Sequence, residues 1–354
     1  MNQPPSSRRF LLVLLILLPG LLGAAMVFNL IFDPLWHGAG NRLRGVNYAF
    51  NERHMMLNRL NGMLPEVDCI LFGSSRATLL DGSRIEGHRC ANISFSNGHI
   101  REFLAITRYL RRQGAGIKRF IFSVNEVSFT PLYDQSGKDL PEYIHGATYF
   151  PTVILDYTSW GCLDFSWRTF RGRSPLPRAY RKNERGEYVG FLLPYAREEG
   201  YHPLSRMAVH PALRAPLTRG NLALYEKLLA IYPEAESIGI VTPVSDWEQA
   251  RMALLGNLGS YLEIRHTLSR MFSQGLVDFS IPSAFTRRQD ITHDGLHYEP
   301  EVLTPILDHL SGHPGDSGVQ VKELSLAEYR SRVEAPIHSF IREQKLSIYD
   351  ALPE

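Results

Sequence analysis

The sequence predicts an α/β protein in which helices cover a parallel sheet, preceded by one membrane-spanning helix. Three observations carry this. Short apolar runs alternate with amphipathic stretches from residue 66 onward and again after residue 217. Polar, glycine-containing segments follow several of those runs, and an uncharged apolar stretch opens the chain. The 354 residues, 44% hydrophobic and 21% charged, suit one large domain with appendages. Net charge is only +2 and the basic residues are scattered, so no nucleic-acid partner is expected.

Arg8 and Arg9 precede Phe10 to Phe32, about 23 uncharged residues, enough to cross a bilayer as a helix. Asp33 and Pro34 close it. The basic pair predicts residues 1–9 as a cytoplasmic tail and 10–32 as a single-pass signal anchor in the cytoplasmic (inner) membrane, with the remainder extracytoplasmic. A cleaved signal peptide is the alternative, since Leu21-Leu22-Gly23-Ala24-Ala25 offers small residues. Against it, the apolar run continues through Met26 to Phe32, beyond an ordinary signal core. Of the three cysteines, Cys69 and Cys90 are the natural disulfide pair in an exported chain, with buried free thiols the competing reading.

Residues 33–65 read as a juxtamembrane connector with one helix, because Met55, Met56, Leu57, Leu60 and Met63 recur at helical spacing. The main domain is expected over 66–315. Val67 to Phe72 is a buried strand ending in Gly73-Ser74-Ser75, and Ala91 to Phe95 a second strand. Ile100 to Arg112 is a helix, and Arg119 to Val124 a third strand opening onto Asn125-Glu126. From about 130 to 217 aromatic, proline and arginine residues replace the alternation, which predicts an inserted, partly helical cap. Then come a helix (Asn221 to Ile231), a strand (Ser237 to Thr242) and a helical stretch (Asp246 to Gln274) broken near Gly256-Asn257. A last strand (Leu276 to Ser280) and a helix (Pro300 to Leu310) complete the unit. The tail, 316–354, holds one amphipathic helix from Ser325 to Glu343.

In such a sheet ligand chemistry gathers at the carboxyl ends of the strands. Ser74-Ser75, Ser96-Asn97-Gly98 and Asn125-Glu126 fall at that edge, and Asp294 with His297 is the fourth contribution. A serine hydroxyl becomes a nucleophile when an imidazole takes its proton, and a carboxylate on the second ring nitrogen fixes the tautomer. An Asp three residues before the His can curl back to meet it. Taken singly, Gly-Ser-Ser is a common turn and cap, and Asp-x-x-His a common loop. Their order and their strand-end positions give them weight together. His293 and His297 have the spacing of two metal ligands on a helix, but Gly295 between them breaks that frame. No metal and no cofactor are expected.

On these residues the chain resembles the SGNH (GDSL-like) hydrolase superfamily over about residues 66–312. Ser75 matches the nucleophile, Gly98 or its neighbour Ser96 the second-block oxyanion donor, and Asn125 the third-block asparagine. Asp294 and His297 match the final Asp-x-x-His. The resemblance implies a three-layer α/β/α fold with a flavodoxin-like parallel sheet. Ser74 and Arg76 stand where that family usually has aspartate and leucine, and Ser-x-Asn-Glu replaces Gly-x-Asn-Asp. Gly-Ser-Ser is similar to the membrane-anchored branch, which includes proteins resembling the teichoic acid D-alanyl transfer protein and the alginate O-acetylation proteins.

The resemblance implies a serine acyl esterase or O-acyltransferase acting outside the cytoplasmic membrane on an envelope or secreted polysaccharide. A multi-span membrane acyltransferase is the partner such a protein would have. The altered first block and the large insertion also suit a catalytically silent scaffold in a polysaccharide-modification complex. A third reading is a lipase or thioesterase, with the insertion covering an acyl chain.

Overall fold

The computed structural model describes residues 7–130, 140–183, 188–194, 201, 203 and 216–347. Parts of the expected cap, tail and cytoplasmic segment therefore lie outside the described residues. The first helix, α1 (Ser7–Phe32), continues through Pro19, and its segment Phe10–Phe32 is long and apolar enough to cross a membrane. At its end the Asp33 carboxylate accepts hydrogen bonds from the N–H groups of His37, Gly38 and Gly40 and from the Tyr157 hydroxyl. A strand, β1 (Val46–Tyr48), and the expected connector helix, α2 (Glu52–Met63), follow.

The alternating region then builds β2 (Cys69–Phe72), β3 (Cys90–Asn92), α3 (Ile100–Arg112) and β4 (Arg119–Ser123). α3 begins where its sequence signals: His99 caps Arg101 N–H, and Glu102 reaches back to His99 N–H. Two helices, α4 (Tyr149–Thr158) and α5 (Trp160–Phe170), come next, then β5 (Arg178–Lys182) and β6 (Tyr188–Leu192). Further on lie α6 (Leu222–Leu229), β7 (Glu236–Val241), α7 (Asp246–Leu254), α8 (Leu258–Met271) and β8 (Leu276–Asp278). α9 (Thr304–Leu310), β9 (Val319–Gln320) and α10 (Leu326–Gln344) end the fold.

Six strands form the main sheet in the order β3-β2-β4-β7-β8-β9, and all pairs are parallel except the last. Both faces of this sheet are covered. Ile70 and Phe72 of β2 point into one core with residues of α2, α3, α6, α8 and α10, while Cys69 and Leu71 point into the other with residues of α9. Fully buried strands need no polar alternation, which is why these runs read as continuously apolar. Phe72 stacks on Phe120 and Phe122, and Phe122 stacks on Phe272 of the strand-flanking segment at 5.0 Å between ring centroids.

Three features go beyond the sequence expectation. β9 adds an antiparallel edge to a sheet expected to be wholly parallel. The insertion is not only helical: β5 and β6 pair with each other and with β1 in a separate antiparallel sheet. The connector is thereby part of a sheet and not only a helix. Cys69 and Cys90, opposed in the β2–β3 register, form a disulfide, and Cys162 is a buried free thiol.

Candidate active site

The parallel strands all end at one edge, and the polar segments that follow them converge there. After β2 the chain passes Gly73 and Ser74 into a short 3-10 turn, Ser75–Ala77, and Thr78 Oγ1 donates to the Ser75 carbonyl at 2.7 Å. Ser75 is half-buried. A Cβ on Gly73 would lie 2.6 Å from Ala77 Cβ and 2.9 Å from Ser123 Cβ, so only glycine lets the serine-bearing turn sit this close to β4.

The Asp294–His297 segment closes on itself as expected from its spacing. His297 Nδ1 lies 2.8 Å from Asp294 Oδ2, while Asp294 Oδ1 accepts from the N–H groups of Leu296 at 3.0 Å and His297 at 2.8 Å. Burial alone would push the Asp294 carboxyl up, but the His297 charge and these hydrogen bonds hold it well below the usual carboxylate range. An ionised carboxylate at Nδ1 demands a proton there, which leaves the lone pair of the neutral ring on Nε2. His297 Nε2 is buried and has no hydrogen-bond partner among the described residues.

Gly295 fixes the turn to the sheet. Its φ is +80°, and a Cβ there would meet Tyr201 Oη at 2.5 Å and Ser245 Oγ at 2.6 Å. The Ser245 N–H, in the loop after β7, donates to the Gly295 carbonyl at 2.9 Å. The residues beside the two candidates, Arg76 and Leu296, line one cavity of about 20 Å³, room for a single water. Among the described residues no hydrogen bond joins Ser75 Oγ to His297 Nε2. His293 and His297 do not share a helix: His293 N–H donates to the His297 carbonyl across a small hairpin bridged at Thr292 and Tyr298.

Asn125 is buried at the start of the turn after β4. Its Oδ1 accepts from Val127 N–H at 3.0 Å and its Nδ2 donates to Ser123 O at 3.2 Å, leaving one amide hydrogen over. The two second-block candidates are engaged elsewhere. Ser96 N–H and Oγ both donate to Glu52 Oε2, at 2.8 and 2.6 Å, and Gly98 N–H donates to the Phe95 carbonyl at 3.0 Å. Between them exposed Asn97 turns left-handed at φ 52°. Gly98 itself is packed so tightly that a Cβ would stand 2.4 Å from the Gly73 carbonyl oxygen.

Sequence reasoning did not anticipate the charges behind the edge. Arg76 and Glu126, each immediately after a candidate residue, form a buried ion pair. Burial opposes both charges, yet each partner favours the other's ionised form, raising the Arg76 guanidinium and lowering the Glu126 carboxyl. Glu248 pairs with Arg251 nearby. Burial pushes its carboxyl up to about 7 despite Arg251, and the Asp294 charge adds to the rise. The signal was the opposite charge at the position after Ser75 and after Asn125.

No protein-family profile matches the chain, and no curated protein matches it in sequence. Among solved structures the chain is similar to one described, provisionally, as a platelet activating factor from Streptococcus pneumonia. The likeness is 12% identity and a TM-score of 0.36 over 73% of this chain and 92% of that one.

Proposed function

We propose that this chain is a membrane-anchored serine acyl esterase or O-acyltransferase of SGNH type, acting outside the cytoplasmic membrane on an O-acyl group of an envelope or secreted polysaccharide. The observation that carries the reading is His297: its Nδ1 is held by an ionised Asp294, its buried Nε2 has no hydrogen-bond partner among the described residues, and its neighbour Leu296 shares a cavity with Arg76, the neighbour of Ser75. A base needs that lone pair. Counted in chain order, the five parallel strands run 2-1-3-4-5, the order of flavodoxin-like doubly wound sheets, which supports a three-layer SGNH-type fold. The apolar helix α1 and the Cys69–Cys90 disulfide support an anchored, oxidising, extracytoplasmic location.

Ser75 Oγ attacks the acyl carbonyl as His297 Nε2 takes its proton, and the imidazolium returns that proton to the departing sugar oxygen. Asp294 stabilises the imidazolium. The Ser75 N–H and the spare Asn125 amide hydrogen face the oxyanion. With the N–H groups of Ser96 and Gly98 already bonded, the Asn97 N–H is the third donor. Water or a second sugar hydroxyl then resolves the acyl-serine. The test is turnover of a small acetyl ester by the full chain and by Ser75→Ala, with labelling by a serine-reactive phosphonate. Equal turnover in both proteins removes Ser75 from the role.

One observation favours a second reading, a catalytically silent scaffold: among the described residues no hydrogen bond joins Ser75 to His297. It predicts no phosphonate adduct at Ser75 under any condition, whereas catalytic hydrogen bonds that tighten only with substrate still permit one.

A further inference from the structure

Helices α4 and α5 form a hairpin packed against the last turns of α1. Phe170 stands edge-on to Phe28 and Phe32, with ring centroids 6.4 and 6.1 Å apart, and Asn29 Nδ2 donates to the Tyr157 carbonyl at 2.8 Å. With Tyr157 also bonded to Asp33, the hairpin is fixed to the helix and not merely beside it. Apart from the Arg168–Asp164 pair of α5, its outer surface is largely apolar. Phe150 is 71% exposed, Leu155 68% and Trp160 80%, and Ile154, Trp167 and Phe170 are exposed as well. The outward residues of α4, Phe150, Pro151, Ile154, Leu155 and Thr158, carry no charge.

The length of α1 says what meets this face. Of its apolar span only Phe10 to Ala24 is exposed throughout, and these fifteen residues extend ~22 Å. A bilayer core is ~30 Å thick. The free part of α1 is too short by roughly 8 Å, so lipid must also surround the part that α4 and α5 pack against. That depth matches the ~5–10 Å to which interfacial helices sink.

We propose that α4 and α5 form a monotopic platform that inserts into the outer leaflet of the same membrane that α1 crosses. The inference rests on the reading of α1 as a membrane anchor. Trp160 and Trp167 take the interfacial level that indoles prefer. Arg168, paired to Asp164 at 2.8 Å, and exposed Arg171 and Arg173 stand at the end of α5, where anionic headgroups attract guanidinium groups. The partner this face fits is a lipid surface.

The experiment places an environment-sensitive fluorophore on Leu155→Cys of the full chain in phosphatidylethanolamine–phosphatidylglycerol nanodiscs. Cys162 is buried and the other cysteines are bonded, so labelling is selective. Leu14→Cys reports α1, and Arg332→Cys, on exposed α10 surface, reports the aqueous side. Nitroxide on the acyl chains is expected to quench the labels at positions 14 and 155 by more than half and to leave that at 332 unchanged. If 14 is quenched while 155 stays open to iodide in the buffer, the platform is overturned and the anchor stands. Shielding of 155 from both quenchers means a protein contact and also overturns it. If neither 14 nor 155 meets lipid, platform and anchor fall together.

Discussion

Arg76 and Glu126 are bonded to each other behind the carboxyl edge of the sheet, each directly after a candidate site residue, Ser75 and Asn125. The two opposite charges neutralise each other in the core. Both side chains are under 10% exposed, so neither is free to meet substrate.

A buried pair of this kind is expected to be strongly coupled. Arg76→Leu or Glu126→Gln alone leaves an uncompensated buried partner and should cost ~3–5 kcal/mol in urea unfolding. The double variant Arg76→Leu/Glu126→Gln should lose far less than the sum. Additive losses would mean that the two groups do not depend on each other.

Asp294→Asn keeps the shape of the turn but removes the charge that fixes the His297 tautomer. For an active enzyme kcat should fall on the order of 10³–10⁴-fold, with KM nearly unchanged. Since the folded protein holds the Asp294 carboxyl below its ordinary range, lowering the pH into the mildly acid region should not reproduce this loss through Asp294. Steady-state kinetics of the variant across pH decides it.

Glu248 gives a pH dependence of the opposite kind. Unfolded, its carboxyl titrates near 4.5; folded, near 7. Between these values only the folded state keeps the proton, so this group makes stability fall as the pH rises from 4.5 to 7 and contributes no further slope above. The loss is about 3 kcal/mol at ~1.4 kcal/mol per pKa unit. Glu248→Gln should flatten that window in denaturation midpoints measured at stepped pH. An unaltered slope would assign it to other groups.

The Cys69–Cys90 bond closes a loop of sequence separation 21 between neighbouring strands. Cys90→Ser, or reduction of the native chain, should lower stability by about 3 kcal/mol on the chain-entropy account. A native protein indifferent to reductant would argue against export to an oxidising compartment.

What the sequence disclosed follows from how local each signal is. Helix α3 declares itself through the His99 cap, the Glu102 side chain and its apolar spacing, all within one segment. β2 and β4 are the most legible strands, because burial on both faces makes Cys69–Phe72 and Phe120–Phe122 continuous apolar runs. The Asp294–His297 contact is a single turn, so spacing suffices to foresee it. β5 was not legible. Arg178-Ala179-Tyr180-Arg181-Lys182 reads as surface, and Arg178 is buried only because Glu52, far away in sequence, receives its guanidinium. Ser96 was read as a donor to substrate for the same reason: nothing near it in sequence announces Glu52. The two-residue β9 is too short to carry a pattern.

Arg178 has one more implication. Its guanidinium joins Glu52 of the connector helix, whose carboxyl Arg178 holds down at about 2 against the effect of burial, and it also bonds Ser96 on the rim of the main sheet. One buried cation thus bolts the small sheet, the connector helix and the candidate edge into a single casting. Such a molecule has no wrist. The edge that carries the candidate site therefore keeps its place relative to α2 and the small sheet.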